Sequence, residues 1–215
     1  MPHRCMNKLR DFSESSLREA VQVVREGGII AFPTETFYGL GACPFNARAV
    51  QRIFDLKDRA LRAAPILVLV RSRADLEAFV SEITPTAERL METYWPGPLT
   101  LIFRAAGAVP SVLTAGTGTI GVRLSAHKDA QRVLEAVGGP LTGTSANRSG
   151  HPPATTAEEV DRVLGAAVDV IVNGGATPGG LPSTVVDTTV TPPRLVREGR
   201  IPKASLLLII HSWAA

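Results

Sequence analysis

Residues 16–33 read Ser-Leu-Arg-Glu-Ala-Val-Gln-Val-Val-Arg-Glu-Gly-Gly-Ile-Ile-Ala-Phe-Pro, a helix, its stop and a buried strand in succession. Ser16 and Glu19 have the spacing of a capping box, and Leu17, Ala20, Val21 and Val24 recur along one helical face. Gly27-Gly28 ends that helix. Ile29 to Phe32 then run apolar without alternation, as in a strand covered on both faces, and Pro33 stops it. A helix feeding a strand that is buried on both sides is the unit of a layered α/β domain. Thr34 to Gly41 is expected to be a loop at that strand's end.

Outward from this segment the same alternation continues. Helical periodicity covers Ala47 to Leu56, a basic loop runs from Lys57 to Arg62, and Ile66 to Val70 reads as a strand, followed by a helix capped near Ser72. Thr84-Pro85 opens another helix by the cap-then-proline rule, and Trp95-Pro-Gly-Pro98 breaks it. Leu99–Phe103 and Ile120–Leu124 read as strands, Lys128–Val137 as a helix, and Leu141–Thr144 as a strand. Thr156 caps a further helix, and Val168–Val172 and Thr184–Thr188 are late strands. The expected architecture is a single α/β domain with a large twisted mixed sheet flanked by helices. Residues 1–14 read as an N-terminal extension, 15–200 as the domain, and 201–215 as a tail with no second domain. The apolar run Leu206–Ile210 is either a last strand or a packing segment.

At 215 residues the chain can bury roughly 70% of its unfolded surface, so no disulfide framework is needed. The net charge of +3 suits anionic ligands but falls short of the dense basic face of a dedicated nucleic-acid binder. Cys5 and Cys43 have neither redox nor zinc spacing, which points to a reducing, cytoplasmic setting. His3, His127, His151 and His211 form no HxxxH or HExxH pair, so no protein-ligated metal is expected. Met1 to Leu17 carries charges throughout and reads as no secretory signal. No apolar run approaches the ~20 residues that span a bilayer.

Several short motifs have plain explanations. Gly116-Thr-Gly-Thr-Ile-Gly121 matches GxGxxG but leads into a strand, whereas a dinucleotide site needs those glycines to open a helix. Gly143-Thr-Ser-Ala-Asn147 has Asn where a nucleophile elbow needs its second Gly. Lys57 and Arg59 sit where cations complement a helix C-terminus. Arg123 differs, because a lone charge inside an apolar strand needs a partner or lines a cleft, and its planar fork suits a carboxylate. Thr34-Glu-Thr36, Thr144-Ser-Ala-Asn147 and Ser183-Thr184 lie at strand ends, where hydroxyls serve turns. Taken with Lys57, Arg59, Arg123 and Arg197, they suit an anionic, polyphosphate-bearing ligand.

From about Ser15 to Arg200 the chain resembles the YrdC/TsaC family of L-threonylcarbamoyladenylate synthases. The resemblance is carried by Phe32-Pro-Thr-Glu-Thr-Phe-Tyr-Gly-Leu-Gly41, Lys57-x-Arg59, Tyr94-Trp-Pro-Gly-Pro-Leu-Thr100, Gly121-Val-Arg123, Thr144-Ser-Ala-Asn147 with Ser149-Gly150, Pro182-Ser-Thr-Val-Val-Asp187 and Arg197-x-Gly199. It implies a YrdC-like fold with a positive concave surface, and a nucleotidyltransferase that makes threonylcarbamoyl-AMP and pyrophosphate from L-threonine, bicarbonate and ATP. It also implies a role in tRNA modification: downstream threonylcarbamoyl-transferase proteins use the product, with direct tRNA binding left open. Carried over by position, Thr36, Arg123 and Ser183 would bind threonine, and Lys57, Arg59, Thr119, Ser145, Asn147 and Arg197 would bind ATP. Lys57 and Arg59 would be catalytic. The chain departs from the usual pattern at Ala60, Ala64 and Leu69.

Such a reaction joins two anions, so cations that neutralise and position them would be its main devices, with magnesium carried on the nucleotide phosphates. The alternative is a noncatalytic module binding double-stranded RNA or tRNA through the same surface. Against it, aromatics are only 5% of residues and no RNP-like stacking motif occurs.

Overall fold

The computed structural model describes residues 8–57 and 65–210. In chain order the elements are β1 (Leu9–Arg10), α1 (Glu14–Arg25), β2 (Ile30–Pro33), β3 (Tyr38–Gly41), α2 (Ala47–Leu56), β4 (Val68–Val70), a 3₁₀ run (Arg73–Ala78), α3 (Pro85–Tyr94), β5 (Leu99–Arg104), β6 (Thr119–Leu124), α4 (Lys128–Val137), β7 (Leu141–Thr142), β8 (Thr144–Ser145), α5 (Ala157–Leu164), β9 (Val170–Val172), β10 (Thr184–Asp187), β11 (Arg194–Arg197) and α6 (Lys203–Leu206). The alternation expected from periodicity is present, with local differences.

α1 is capped by Ser13 rather than Ser16: the Ser13 hydroxyl accepts from the Ser16 amide at 3.3 Å. Glu19, the expected capping-box partner, is instead bound by the Arg10 guanidinium (Nη2 to Oε1, 2.8 Å). Thr84 and Thr156 cap their helices as expected, accepting from the amides of Ala87 and Glu159. After Ser72 the chain makes only a 3₁₀ run, and the Ser72 side chain makes no cap.

Thr34 to Gly41 is not all loop. The Thr34 hydroxyl donates to the Phe37 carbonyl at 2.7 Å and tightens a turn, after which β3 returns antiparallel along β2, with Phe32 opposite Gly39. Ile30 and Phe32 of β2 pack toward α1 and α4, while Ile29 and Ala31 face the larger core. The strand is therefore covered on both faces, as its unbroken apolar run requires.

Instead of one large sheet there are two mixed sheets, ordered β1-β9-β2-β3-β8 and β11-β10-β5-β6-β4-β7. They share one stretch of chain. Leu141–Thr142 pairs with β4 in one sheet, and Thr144–Ser145 pairs with β3 in the other. Gly143 is the crossing point. A Cβ there would lie 2.5 Å from Leu69 Cγ and 2.8 Å from Leu67 Cδ1, so only glycine lets the strand change sheets against β4. Gly143→Ala is accordingly expected to destabilise the protein by about 1–3 kcal/mol through overpacking. Urea unfolding checks this, and an unchanged midpoint would contradict the crossing's tightness.

Leu69, one of the departures from the family pattern, is fully buried in β4 and forms this wall. Ala60 and Ala64 lie outside the described residues. At the other end, Leu206 closes α6 and Ile210 is buried against the core, so this part of the tail packs rather than forming a strand. Leu9–Arg10, inside the segment read as an extension, forms the edge strand beside β9. Among the described residues no helix is long and apolar enough to cross a membrane.

Candidate active site

Where the sheets diverge they enclose a cavity of about 500 Å³. One wall comes from the β2–β3 turn (Thr34, Thr36) and from β3 (Tyr38, Gly39), the other from β5 (Thr100, Ile102) and β6 (Gly121, Arg123). Thr144 and Ser145 close one side just past the Gly143 crossing; Ser183, Val185, Val196 and Arg197 close the other. Of the residues chosen from sequence, Thr36, Arg123, Ser145, Ser183 and Arg197 share this cavity. These residues lie far apart in sequence and meet because β3/β8 and β5/β6/β10/β11 face each other across the gap.

Arg123 is only 3% exposed. Among the described residues its Nε has no hydrogen-bond partner; it lies 3.7 Å from Glu35 Oε1, which has none there either. Loss of solvent pulls the guanidinium's pKa below its ordinary value, and the Glu35 charge pulls it back up. Glu35 sits behind Arg123 rather than in the cavity wall, and its Oε2 accepts from the Ser125 hydroxyl.

Arg197 donates from Nε and Nη2 to the Ser183 carbonyl at 3.2 and 2.9 Å, and from Nη2 to the Ser183 hydroxyl at 3.3 Å. That hydroxyl is also 2.9 Å from Thr100 Oγ1. Although Arg197 as a residue is exposed, its guanidinium is drawn in far enough that loss of solvent, and then the like charge of Arg123, lowers its pKa. Two cations thus face one cavity, and among the described residues the first has a carboxylate behind it.

Lys57 caps the C-terminal end of α2. Its ammonium is buried and donates to the Ser145 carbonyl (2.8 Å), the Asn147 carbonyl (3.1 Å) and Asn147 Oδ1 (2.8 Å). Asn147 Oδ1 also accepts from the Ser145 hydroxyl at 2.7 Å, and Asn147 Nδ2 donates to the His151 carbonyl at 2.6 Å. Lys57 and Asn147 therefore stand behind Ser145, outside the cavity wall. Thr119 shares a strand face with Gly121 and Arg123, but its hydroxyl is 2.9 Å from Thr117 Oγ1 and it does not reach the cavity. Arg59 lies outside the described residues.

Sequence reading gave no role to Glu35, Thr100 or the apolar lining. Glu35 and Thr100 do lie inside the Phe32–Gly41 and Tyr94–Thr100 words, which was the available signal.

A family model described as Sua5_yciO_yrdC, telomere recombination, matches residues 22–199. The chain belongs to this family. It is 39% identical over 205 residues to the threonylcarbamoyl-AMP synthase of Pyrococcus abyssi, covering 95% of this chain but 60% of that longer protein. With the threonylcarbamoyl-AMP synthase of Thiobacillus denitrificans it shares 42% identity over 164 residues, 76% of this chain and 86% of the relative. The crystal structure of P. abyssi Sua5 complexed with L-threonine superposes with a TM-score of 0.90 at 38% identity, covering 95% of this chain and 61% of that one. The Sua5/YrdC domain, with its two mixed sheets, is thus the fold of this chain, as the seven ordered motifs implied.

Proposed function

We infer that this chain is a threonylcarbamoyl-AMP synthase, a nucleotidyltransferase that consumes L-threonine, bicarbonate and ATP. The observation that carries the reading is the convergence of Arg123, Arg197, Thr36, Ser145 and Ser183 on one cavity in a chain whose relatives bear that name. A cavity of about 500 Å³ falls in the range of small-molecule sites, and its two guanidiniums suit a ligand with more than one anionic group.

The chemistry balances without an enzyme-bound intermediate. The threonine amine forms an N–C bond to the carbon of bicarbonate, and water leaves. The resulting N-carboxylate oxygen forms a bond to the α-phosphorus of ATP as the α–β bridging bond breaks and pyrophosphate departs. Both partners are anions, so charge neutralisation and alignment are what the protein must supply. Arg123 would take the threonine carboxylate, with Thr36 and Ser183 beside it. Ser145 and Arg197 would face the nucleotide, Arg59 would add charge at its phosphates, and Lys57 and Asn147 would hold Ser145 in place.

Among the described residues no group of three His, Cys, Asp or Glu is placed to hold a metal, and the cavity wall carries no carboxylate. The protein side chains described do not themselves fit a magnesium ion. Any magnesium would arrive on the phosphates, and no step here depends on protein ligation of it. The product would pass to threonylcarbamoyl-transferases acting on tRNA.

The test is pyrophosphate release. With ATP and magnesium present, release is expected only when L-threonine and bicarbonate are both added, and release indifferent to threonine would refute the synthase.

A further inference from the structure

Glu35 is the unused charge at this site. Its carboxylate lies behind Arg123, Oε1 facing Nε at 3.7 Å with no other partner among the described residues, and Oε2 accepts from the buried Ser125 hydroxyl. Its backbone is pinned as well: the Glu35 carbonyl accepts from Arg200 Nη1 at 2.7 Å, and the flanking Thr36 amide donates to Thr34 Oγ1 at 3.3 Å. Ser125 is itself fixed, since its hydroxyl accepts from the His127 amide at 3.2 Å and its carbonyl from Gln131 Nε2 at 2.8 Å. The carboxylate therefore has little freedom to turn.

A guanidinium offers one donor face through Nε and a second through its Nη pair. Glu35 occupies the direction of Nε. The Nη groups make no hydrogen bond among the described residues, and Arg123 contributes to the cavity wall. An arginine buried in a strand without such an orienting charge would carry its desolvation cost unaided and would swing toward any available oxygen.

Resting on the synthase reading, we propose that Glu35 is a positioning residue for threonine: it holds Arg123 by Nε so that the Nη pair faces the substrate carboxylate. It acts through Arg123 and touches no reacting atom. Its share of the buried charge also keeps the cavity from repelling the threonine ammonium before the amine is deprotonated, because Arg123 and Arg197 alone would place two positive charges there.

The test is a double-mutant cycle with Glu35→Gln, Arg123→Lys and their combination, measuring pyrophosphate release with threonine and ATP titrated separately. Glu35→Gln keeps the side chain's size and an acceptor for Ser125. It is expected to raise the threonine KM about tenfold while the ATP KM stays within about twofold. Added to Arg123→Lys it should raise the threonine KM no further, because the group it orients is gone. Equal changes in both KM values, or multiplicative effects in the cycle, overturn the proposal. If Glu35→Gln does not fold, Ser125→Ala removes only the Oε2 restraint and should raise the threonine KM about threefold; no change there overturns it equally. Threonine-dependent release by the wild type with no KM split in the variants defeats the role of Glu35 alone, whereas threonine-independent release by the wild type defeats the synthase reading and this proposal together.

Discussion

Arg123→Ala is expected to raise the KM for L-threonine on the order of 10²-fold while leaving the KM for ATP within a factor of a few. The magnitude follows from a charge-assisted, two-point grip on a carboxylate by a guanidinium that is itself buried. Losing 10²-fold corresponds to about 2.7 kcal/mol, which falls within the range for a hydrogen-bonded charge pair. The residue is buried one place before the end of β6, opposite Leu69 of β4, so its stem is fixed by the strand rather than by a loop. Two effects are mixed in the alanine variant, because it also strands the Glu35 carboxylate. Arg123→Lys separates them: the charge near Glu35 stays and the planar fork is lost. A threonine KM in Arg123→Lys close to that of Arg123→Ala assigns the effect to the fork, and one close to the wild type assigns it to charge alone. A threonine KM unchanged in both variants would remove Arg123 from the substrate site. Pyrophosphate release at saturating ATP, with Tm measured in parallel, decides.

What could be read from the sequence was local, and what could not was tertiary. Residues 16–33 announce a helix and a two-sided strand because periodicity and glycine punctuation are properties of adjacent residues. Arg123 was legible for a related reason, since a charge amid Ile120, Val122 and Leu124 has no apolar explanation. β3 was missed because Thr34, Glu35 and Thr36 look like loop. Bonds from the Thr34 hydroxyl and amide to the Phe37 carbonyl close them into a hairpin. The division into two sheets was missed because it hangs on Gly143 passing close to Leu67 and Leu69, a contact that no window around Gly143 contains. Glu35 was quoted within a motif yet given no task, since its partners Arg123, Ser125 and Arg200 are brought to it only by the fold.

Lys57 has partners in the fold that its sequence context does not show. The residue was chosen as a cation for phosphates, and its position at the end of α2 does bring it to the site. There its ammonium is taken up by oxygens of Ser145 and Asn147. Those acceptors are neutral, so dipoles of the Ser145–Asn147 segment help to stabilise the buried cation. Removing it leaves two carbonyls and an amide oxygen short of a donor, and frees the Ser145–Asn147 segment from α2.

Lys57→Met, which keeps the length of the stem, is therefore expected to cost about 3 kcal/mol in stability. In a domain of this size that lowers Tm by roughly 6–12 °C. It should also lower the rate on the order of 10²-fold, because the Ser145 hydroxyl is aimed by Asn147 Oδ1, one of the atoms the ammonium holds. Hydrogen exchange reads the same event directly: the Ala146 and Asn147 amides, which donate to Tyr38 O and Ser145 O, should lose protection in the variant. A phosphate clamp makes the opposite prediction, a fall in rate with Tm and exchange untouched. Finding that pattern would return Lys57 to the nucleotide and leave the Ser145–Asn147 segment held by its backbone bonds and by the Asn147–His151 contact.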